Sequence, residues 1–145
     1  MASQSLYTYG TKGNIGYTET ITGSLWNEIT STSETNNTVV QSLTLNEGTW
    51  IVEFFFEFNI SDNVSLALLS ESFQVNGVQL AGKSVFNNFT SASTSNYLNG
   101  YIDKVVNVPP GSTSTVQIKL YAWDMSSGGS VFSSVPPIAY ITKIA

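Results

Sequence analysis

The chain has no cysteine, no histidine and no arginine, and sets only five lysines against ten carboxylates in 145 residues. Without cysteine, disulfide frameworks and thiolate metal sites are excluded. The further loss of histidine removes catalytic triads built on either residue and most zinc sites. A net charge of −5 with no arginine leaves neither the clustered cations that displace phosphate counterions nor the guanidinium forks that read guanine. Nucleic acid is therefore not an expected partner. No run approaches the roughly 18 apolar residues needed to cross a bilayer. The opening Met1-Ala2-Ser3-Gln4-Ser5-Leu6-Tyr7 also has no basic region followed by an apolar one, so no signal peptide is expected. The expected product is soluble, made in a host cytoplasm, and has no membrane partner. G-x-S-x-G, P-loop and dinucleotide fingerprints are all missing. No enzyme activity and no cofactor are expected.

Ser, Thr and Asn supply 50 of the residues. Yet 41% of the chain is hydrophobic and 12% aromatic, too much for a disordered polymer. Polar but uncharged, β-branched and aromatic is the composition of a β protein with a hydroxyl- and amide-covered surface. At this length a single domain buries about 70% of what its unfolded chain exposes, so no staples are needed. Asn-x-Ser/Thr sequons begin at Asn36, Asn59, Asn63 and Asn88. A chain this rich in those residues produces roughly three by chance, so they are not read as glycosylation sites.

Residues 1–25 stand apart, with Tyr7, Tyr9, Ile15, Tyr17 and Ile21 scattered among glycines. They read as a first strand with a loose leader, or as an arm that anchors the chain to a partner through Tyr7, Tyr9, Ile15 and Tyr17. Residues 26–145 form the domain proper. Period-two alternation begins at Val39, placing Val39, Gln41, Leu43 and Leu45 on one face and Val40, Ser42 and Thr44 on the other. Asn46-Glu47-Gly48 reads as a turn. The clearest strand follows: Trp50, Val52, Phe54, Phe56, Phe58 and Ile60 share one face, while Ile51, Glu53, Phe55, Glu57 and Asn59 share the other. Each large apolar side chain contributes roughly 1.5–3 kcal/mol when buried, and a slip of one residue would bury both carboxylates.

Val64–Ser72 reads as strand, with Leu68-Leu69 leaving a short helix open. Asn76-Gly77 between alternating arms specifies a two-residue type I′ hairpin. Val85–Phe89 is a short strand and Ser91–Asn96 a polar loop. Tyr97–Val108 is extended and is expected to stop at Pro109-Pro110-Gly111. Val116, Ile118, Leu120 and Ala122 alternate with Gln117, Lys119, Tyr121 and Trp123, and Ile138–Ile144 forms the last strand. About eight strands at regular spacing, without a long amphipathic helix, predict an all-β, two-sheet antiparallel sandwich. The glycines read as turn markers.

Carboxylate chemistry is the one catalytic route left. Glu53 and Glu57 share a strand face, but four residues put them about 13 Å apart, beyond the roughly 5–9.5 Å of a glycosidase pair. They read as a solvated face. Asp62, Asp103 and Asp124 could meet at one end of a sandwich around calcium. With one carboxylate per loop and no D-x-D-x-D spacing, no metal site is expected.

The segments LTLNEGTWIVEFFFEFNI (43–60), VPPGSTSTVQIKLYAWDM (108–125) and PPIAYITKIA (136–145) resemble the central, penultimate and last strands of tumour-necrosis-factor-like and complement-globular-head-like jelly rolls. The Ser/Thr/Asn-rich, cysteine-free flavour is similar to such modules in bacteriophage virion proteins: capsid decoration proteins, head fibres and tail-fibre heads. The Asn-Gly-Val hairpin and the closing Lys-Ile-Ala also resemble the C-terminal domain of collagen-like spore-surface glycoproteins. The resemblance covers roughly residues 38–145 and its motifs are structural rather than catalytic. It implies a TNF-like jelly roll and a homotrimer, with the sheet of the long and last strands facing the threefold axis.

Ile51, Phe55 and Tyr140 are the candidate trimer interface, because apolar groups on a second strand face favour an oligomer contact. The competing reading puts them under the N-terminal segment. Tyr121 and Trp123 are a candidate ligand face for a sugar or a protein, or else pack against a neighbouring strand. The expected partners are the chain itself, a major capsid or tail protein of a virion, and a host surface glycan. The chain enters the sandwich without a heptad stalk or collagen repeat. That favours a subunit decorating the virion surface over a receptor-binding fibre head, and counts equally against the spore-surface domain.

Overall fold

A computed structural model describes residues 4–6, 15–30, 32, 35–62, 66–88, 94–123, 125 and 128–145. Within the strands, only the backbone is described at 4–6, 62, 66–68, 83–88 and 94–97. Nine strand segments follow in order: β1 (Gln4–Leu6), β2 (Thr18–Thr22), β3 (Ile29–Thr30), β4 (Asn37–Asp62), β5 (Leu66–Val75), β6 (Val78–Asn88), β7 (Thr94–Trp123), β8 (Ser130–Phe132) and β9 (Ile138–Lys143). Among the described residues there is no helix.

β4 and β7 are far longer than the other strands because each serves two sheets. Residues 48–62 of β4 pair on one side with residues 94–108 of β7 and on the other, at 50–55, with β9, giving a front sheet in the order β2–β9–β4–β7. Residues 37–46 of β4 pair instead with residues 113–121 of β7, which continue to β5 and β6 as a back sheet. Two sheets of four antiparallel strands make the jelly-roll sandwich. The short segments trim it: β8 links β3 to residues 59–61 of β4. β1 runs parallel to residues 42–44, on the outer edge of the back sheet.

The core fills the space between the sheets. Trp50, Val52, Phe54, Phe56, Phe58 and Ile60 of the front sheet are all buried, as are Leu43, Leu45, Leu69, Phe73, Val116, Ile118 and Leu120 of the back. They form one cluster. The Phe54 and Phe73 rings, one from each sheet, meet with centroids 5.5 Å apart. Period-two alternation along Trp50–Ile60 is therefore what joins the layers. Asn59 departs from the alternation, being 4% exposed although it lies in the outward phase.

The hairpin forms at Asn76-Gly77, with both residues at positive φ (50° and 81°), as a type I′ turn requires. Val64–Ser72 resolves as strand, beginning at Leu66 and running to Val75, with Val64 itself outside the described residues. The short strand expected at Val85 is the end of an 11-residue β6, and β7 begins inside the expected polar loop, at Thr94.

Three local expectations are overturned. Asn46-Glu47-Gly48 is not a chain-reversing turn, and Pro109-Pro110-Gly111 does not end its strand. The register passes from Asn46↔Thr113 directly to Gly48↔Val108, so residues 109–112 bulge opposite the single residue Glu47. The bulge bends both strands at one point and carries them from one sheet into the other. Proline is tolerated there because no ladder bond is required of it, and Glu47 accepts a hydrogen bond from the Gly111 N–H at 3.1 Å. The second correction is phase. A register shift between Val39 and Gln41 turns Val40 inward, fully buried, and leaves Val39 half-exposed. The third is Gly100, which marks no turn but lies buried within β7.

Candidate functional site: two outer faces

Strand register determines what each sheet presents to its surroundings. On the front sheet the outward side chains form three cross-strand rows. Thr22, Ile138, Phe55 and Tyr101 make the first, Thr20, Tyr140, Glu53 and Asp103 the second, and Thr18, Thr142, Ile51 and Val105 the third. Two of the three expected interface residues touch here. Phe55 meets Tyr140 edge-on at 5.4 Å between centroids, and Ile51 lies on the next row, half-buried.

Register adds two residues that sequence reasoning missed. Tyr101 stacks at a tilt on Phe55, with centroids 4.5 Å apart, and Val105 is 52% exposed beside Ile51. The sequence marks Tyr97–Val108 only as extended; the pairing of β4 with β7 is what brings Tyr101, Asp103 and Val105 to one face beside Phe55. A cleft of about 250 Å³ opens at one end of the patch, between Phe55, Gly100, Val135 and Ile138.

The apolar patch is crossed by carboxylates. Glu53 and Asp103 lie directly opposite each other on adjacent strands, a like-charge pairing that weakens a sheet unless something answers it. The Tyr101 hydroxyl donates to Glu53 Oε2 at 3.2 Å. Desolvation, then the charges of Glu53 and Asp103, and then that hydrogen bond hold the Tyr101 phenol above the usual tyrosine range. Glu57, on the same face, is half-buried.

The outer face of the back sheet is of another kind. Tyr121 and Trp123 stack with planes 15° apart and centroids at 5.7 Å, and Trp123 is 39% exposed. Around them runs a ladder of neutral amides and hydroxyls. Gln74 Nε2 donates to the Tyr121 hydroxyl at 3.3 Å and to Ser72 Oγ at 3.2 Å. Ser72 Oγ donates to Gln79 Oε1 at 2.7 Å, and Gln117 Nε2 to Ser42 Oγ at 3.2 Å. Tyr121 is half-buried, so Trp123 presents more of its surface.

Of the expected anchor residues, Tyr7 and Tyr9 lie outside the described residues. Ile15 is 74% exposed. Tyr17 packs against the core and donates its hydroxyl to Glu19 Oε2 at 3.1 Å. That bond, ahead of desolvation and the charge of Glu19, raises the Tyr17 phenol above its ordinary range. Its carbonyl accepts from the Lys143 N–H at 3.0 Å, tying this part of the leader to β9. Of the three aspartates considered for calcium, Asp103 lies on the front face, while Asp124 and the Asp62 side chain are outside the described residues. Among those residues no three carboxylates gather into a possible metal site.

No protein-family model matches the chain, and no curated protein matches it. Among solved structures, it is similar to a chain of the T13 IBDV viral particle, at 12% identity and a TM-score of 0.45. Chains of the infectious bursal disease virus Gt strain (11%, 0.44) and Gx strain (12%, 0.44) are similar in the same degree. Each likeness takes in 92% of this chain, which spans 36%, 39% and 38% of those chains respectively.

Proposed function

We propose that this chain is a non-catalytic structural subunit of a bacteriophage virion, a TNF-like jelly-roll knob that assembles as a homotrimer and decorates the particle surface. The observation that carries the assembly is the front face. Ile51, Phe55, Tyr101, Val105 and Tyr140 lie together on one sheet surface, with Phe55, Tyr101 and Val105 each at least 39% exposed. Such a gathering of exposed apolar and aromatic side chains on a folded domain favours an interface. The strand order β2–β9–β4–β7 over β4–β7–β5–β6 agrees with the TNF-like resemblance of the sequence. The particle role rests on the likeness of residues 38–145 to phage virion modules.

The N-terminal segment is the proposed anchor to a major capsid or tail protein. Light scattering of the purified chain gives the mass of three copies on this reading; the mass of one removes the trimer. Deleting residues 1–14 leaves a trimer that no longer binds particles. Unchanged occupancy on particles overturns the anchor.

A second reading, receptor binding, is favoured by one feature: the stacked Tyr121–Trp123 pair on an amide-lined face. Aromatic faces ringed by amides suit the apolar side and hydroxyls of a sugar. On this reading Trp123→Ala weakens binding to host cells by roughly tenfold or more, and free protein competes with infection. Equal binding by the variant refutes it.

A further inference from the structure

At the corner where β4 and β7 change sheets, the core is closed by a charged residue. β9 turns Ala139 and Ile141 inward, both fully buried, and the next position in that phase is Lys143, opposite Trp50. Gly48, at a φ of 131°, leaves the space through which the lysine stem runs. A Cβ added there would stand 2.7 Å from Lys143 Cε. The ammonium emerges over the Trp50 ring, 5.6 Å from its centroid. A lysine that merely carries its charge out of a core needs no further surroundings. This one has them.

Two clefts of about 500 and 340 Å³ open beside it, and Glu47 and Lys143 line both. Pro109 and Pro110 form an apolar wall of the larger, which also takes in Thr49 and Asn107. Thr49 Oγ1 donates to Asn107 Oδ1 at 2.8 Å. That bond engages the acceptor of the amide and leaves its N–H groups to donate. Glu47 Oε2 accepts from the Gly111 N–H, and a carboxylate has a second oxygen that can accept as well. A cation, an amide donor, a carboxylate acceptor and an apolar wall thus meet at one opening, of a size usual for small-molecule sites.

The geometry points to a binding site for an acidic sugar, of which a uronic acid is the simplest. Its carboxylate pairs with Lys143 and the Asn107 amide, a charge-assisted contact. Its hydroxyls donate to Glu47, and the apolar side of its ring lies on the two prolines. The mixed signs select this class: Glu47 repels a plain anion, and a neutral sugar makes no use of the ammonium. The site needs neither a second copy of the chain nor the Tyr121–Trp123 face.

An NMR titration of the full chain with glucuronate, glucose and acetate at matched ionic strength tests this. Glucuronate is expected to shift the Gly48 and Thr49 amides and the Asn107 side chain, with a Kd on the order of 1 mM, ordinary for so small a ligand. Glucose and acetate bind roughly tenfold more weakly or worse. Lys143→Met keeps the stem over Trp50 and weakens glucuronate by about tenfold or more, with an unchanged far-ultraviolet spectrum. Lys104→Met, which removes an exposed charge elsewhere on β7, leaves binding as it was. Acetate binding as tightly as glucuronate overturns the sugar. Equal binding by Lys143→Met, or equal loss in Lys104→Met, overturns the site. So does the absence of any shift with glucuronate, which reduces Lys143 to a plug on the core.

Discussion

Gly100 lies in β7 where an added Cβ would strike the Phe56 ring and a carboxylate oxygen of Glu71. Both neighbours are in the interior, Phe56 at 4% and Glu71 at 0% exposure, so neither can swing aside into solvent. Gly100→Ala is expected to destabilise the fold by about 1–3 kcal/mol, the usual cost of overpacking, read as a lower urea midpoint at unchanged slope. An unchanged midpoint would show that the two sheets are not in contact there. No sequence signal pointed to this glycine. It follows an asparagine, Asn99, as turn glycines do at Asn76-Gly77, and its demand comes from Phe56 on the paired strand and Glu71 on a strand of the other sheet. Trp50, Phe54 and Phe58 were legible because alternation is a property of one strand. Val40 was not, because the shift that turns it inward exists only in its pairing with β7. Gln41, inward and fully buried, donates to the Ile21 carbonyl at 3.1 Å, a bond to a strand some twenty residues away.

The β5–β6 hairpin shows an element that was read correctly but for only part of its reason. Asn-Gly was recognised for its backbone preference. The structure gives Asn76 a second role, since its Oδ1 accepts from the Thr115 N–H at 2.9 Å and its Nδ2 donates to Ser114 Oγ at 3.3 Å. Its own N–H donates to the Thr115 carbonyl at 2.8 Å. The turn is thus fastened to β7. Asn76→Gly preserves the left-handed conformation and loses the side-chain bonds, at about 1–2 kcal/mol. Asn76→Ala loses them and adds roughly another 1–2 kcal/mol of backbone strain. Equilibrium denaturation of the two variants separates the roles, and a glycine variant as stable as wild type would leave conformation as the only one. The corner at Glu47 was misread for the opposite reason. In sequence, Gly48 and the Pro-Pro-Gly run read as two independent strand ends. They are the two sides of one bend, and only the register of β4 against β7 makes them partners.

At the scale of the molecule, the sandwich and its eight principal strand passes were legible because composition, turn chemistry and alternation agree. Which outer residues gather was less so. Ile51, Phe55 and Tyr140 came from the phases of two strands, whereas Tyr101, Asp103 and Val105 join the same site only once β7 is placed beside β4. The two faces then differ in kind, aromatic and acidic in front, aromatic and amide-lined with a lysine, Lys119, behind.

Because β4 and β7 bend through the corner together, neither sheet owns a full complement of strands. A tear that starts in either layer runs along an unbroken backbone into its neighbour, so the layers cannot peel apart as plates would. Force applied to the domain is shared between them through two continuous covalent cables.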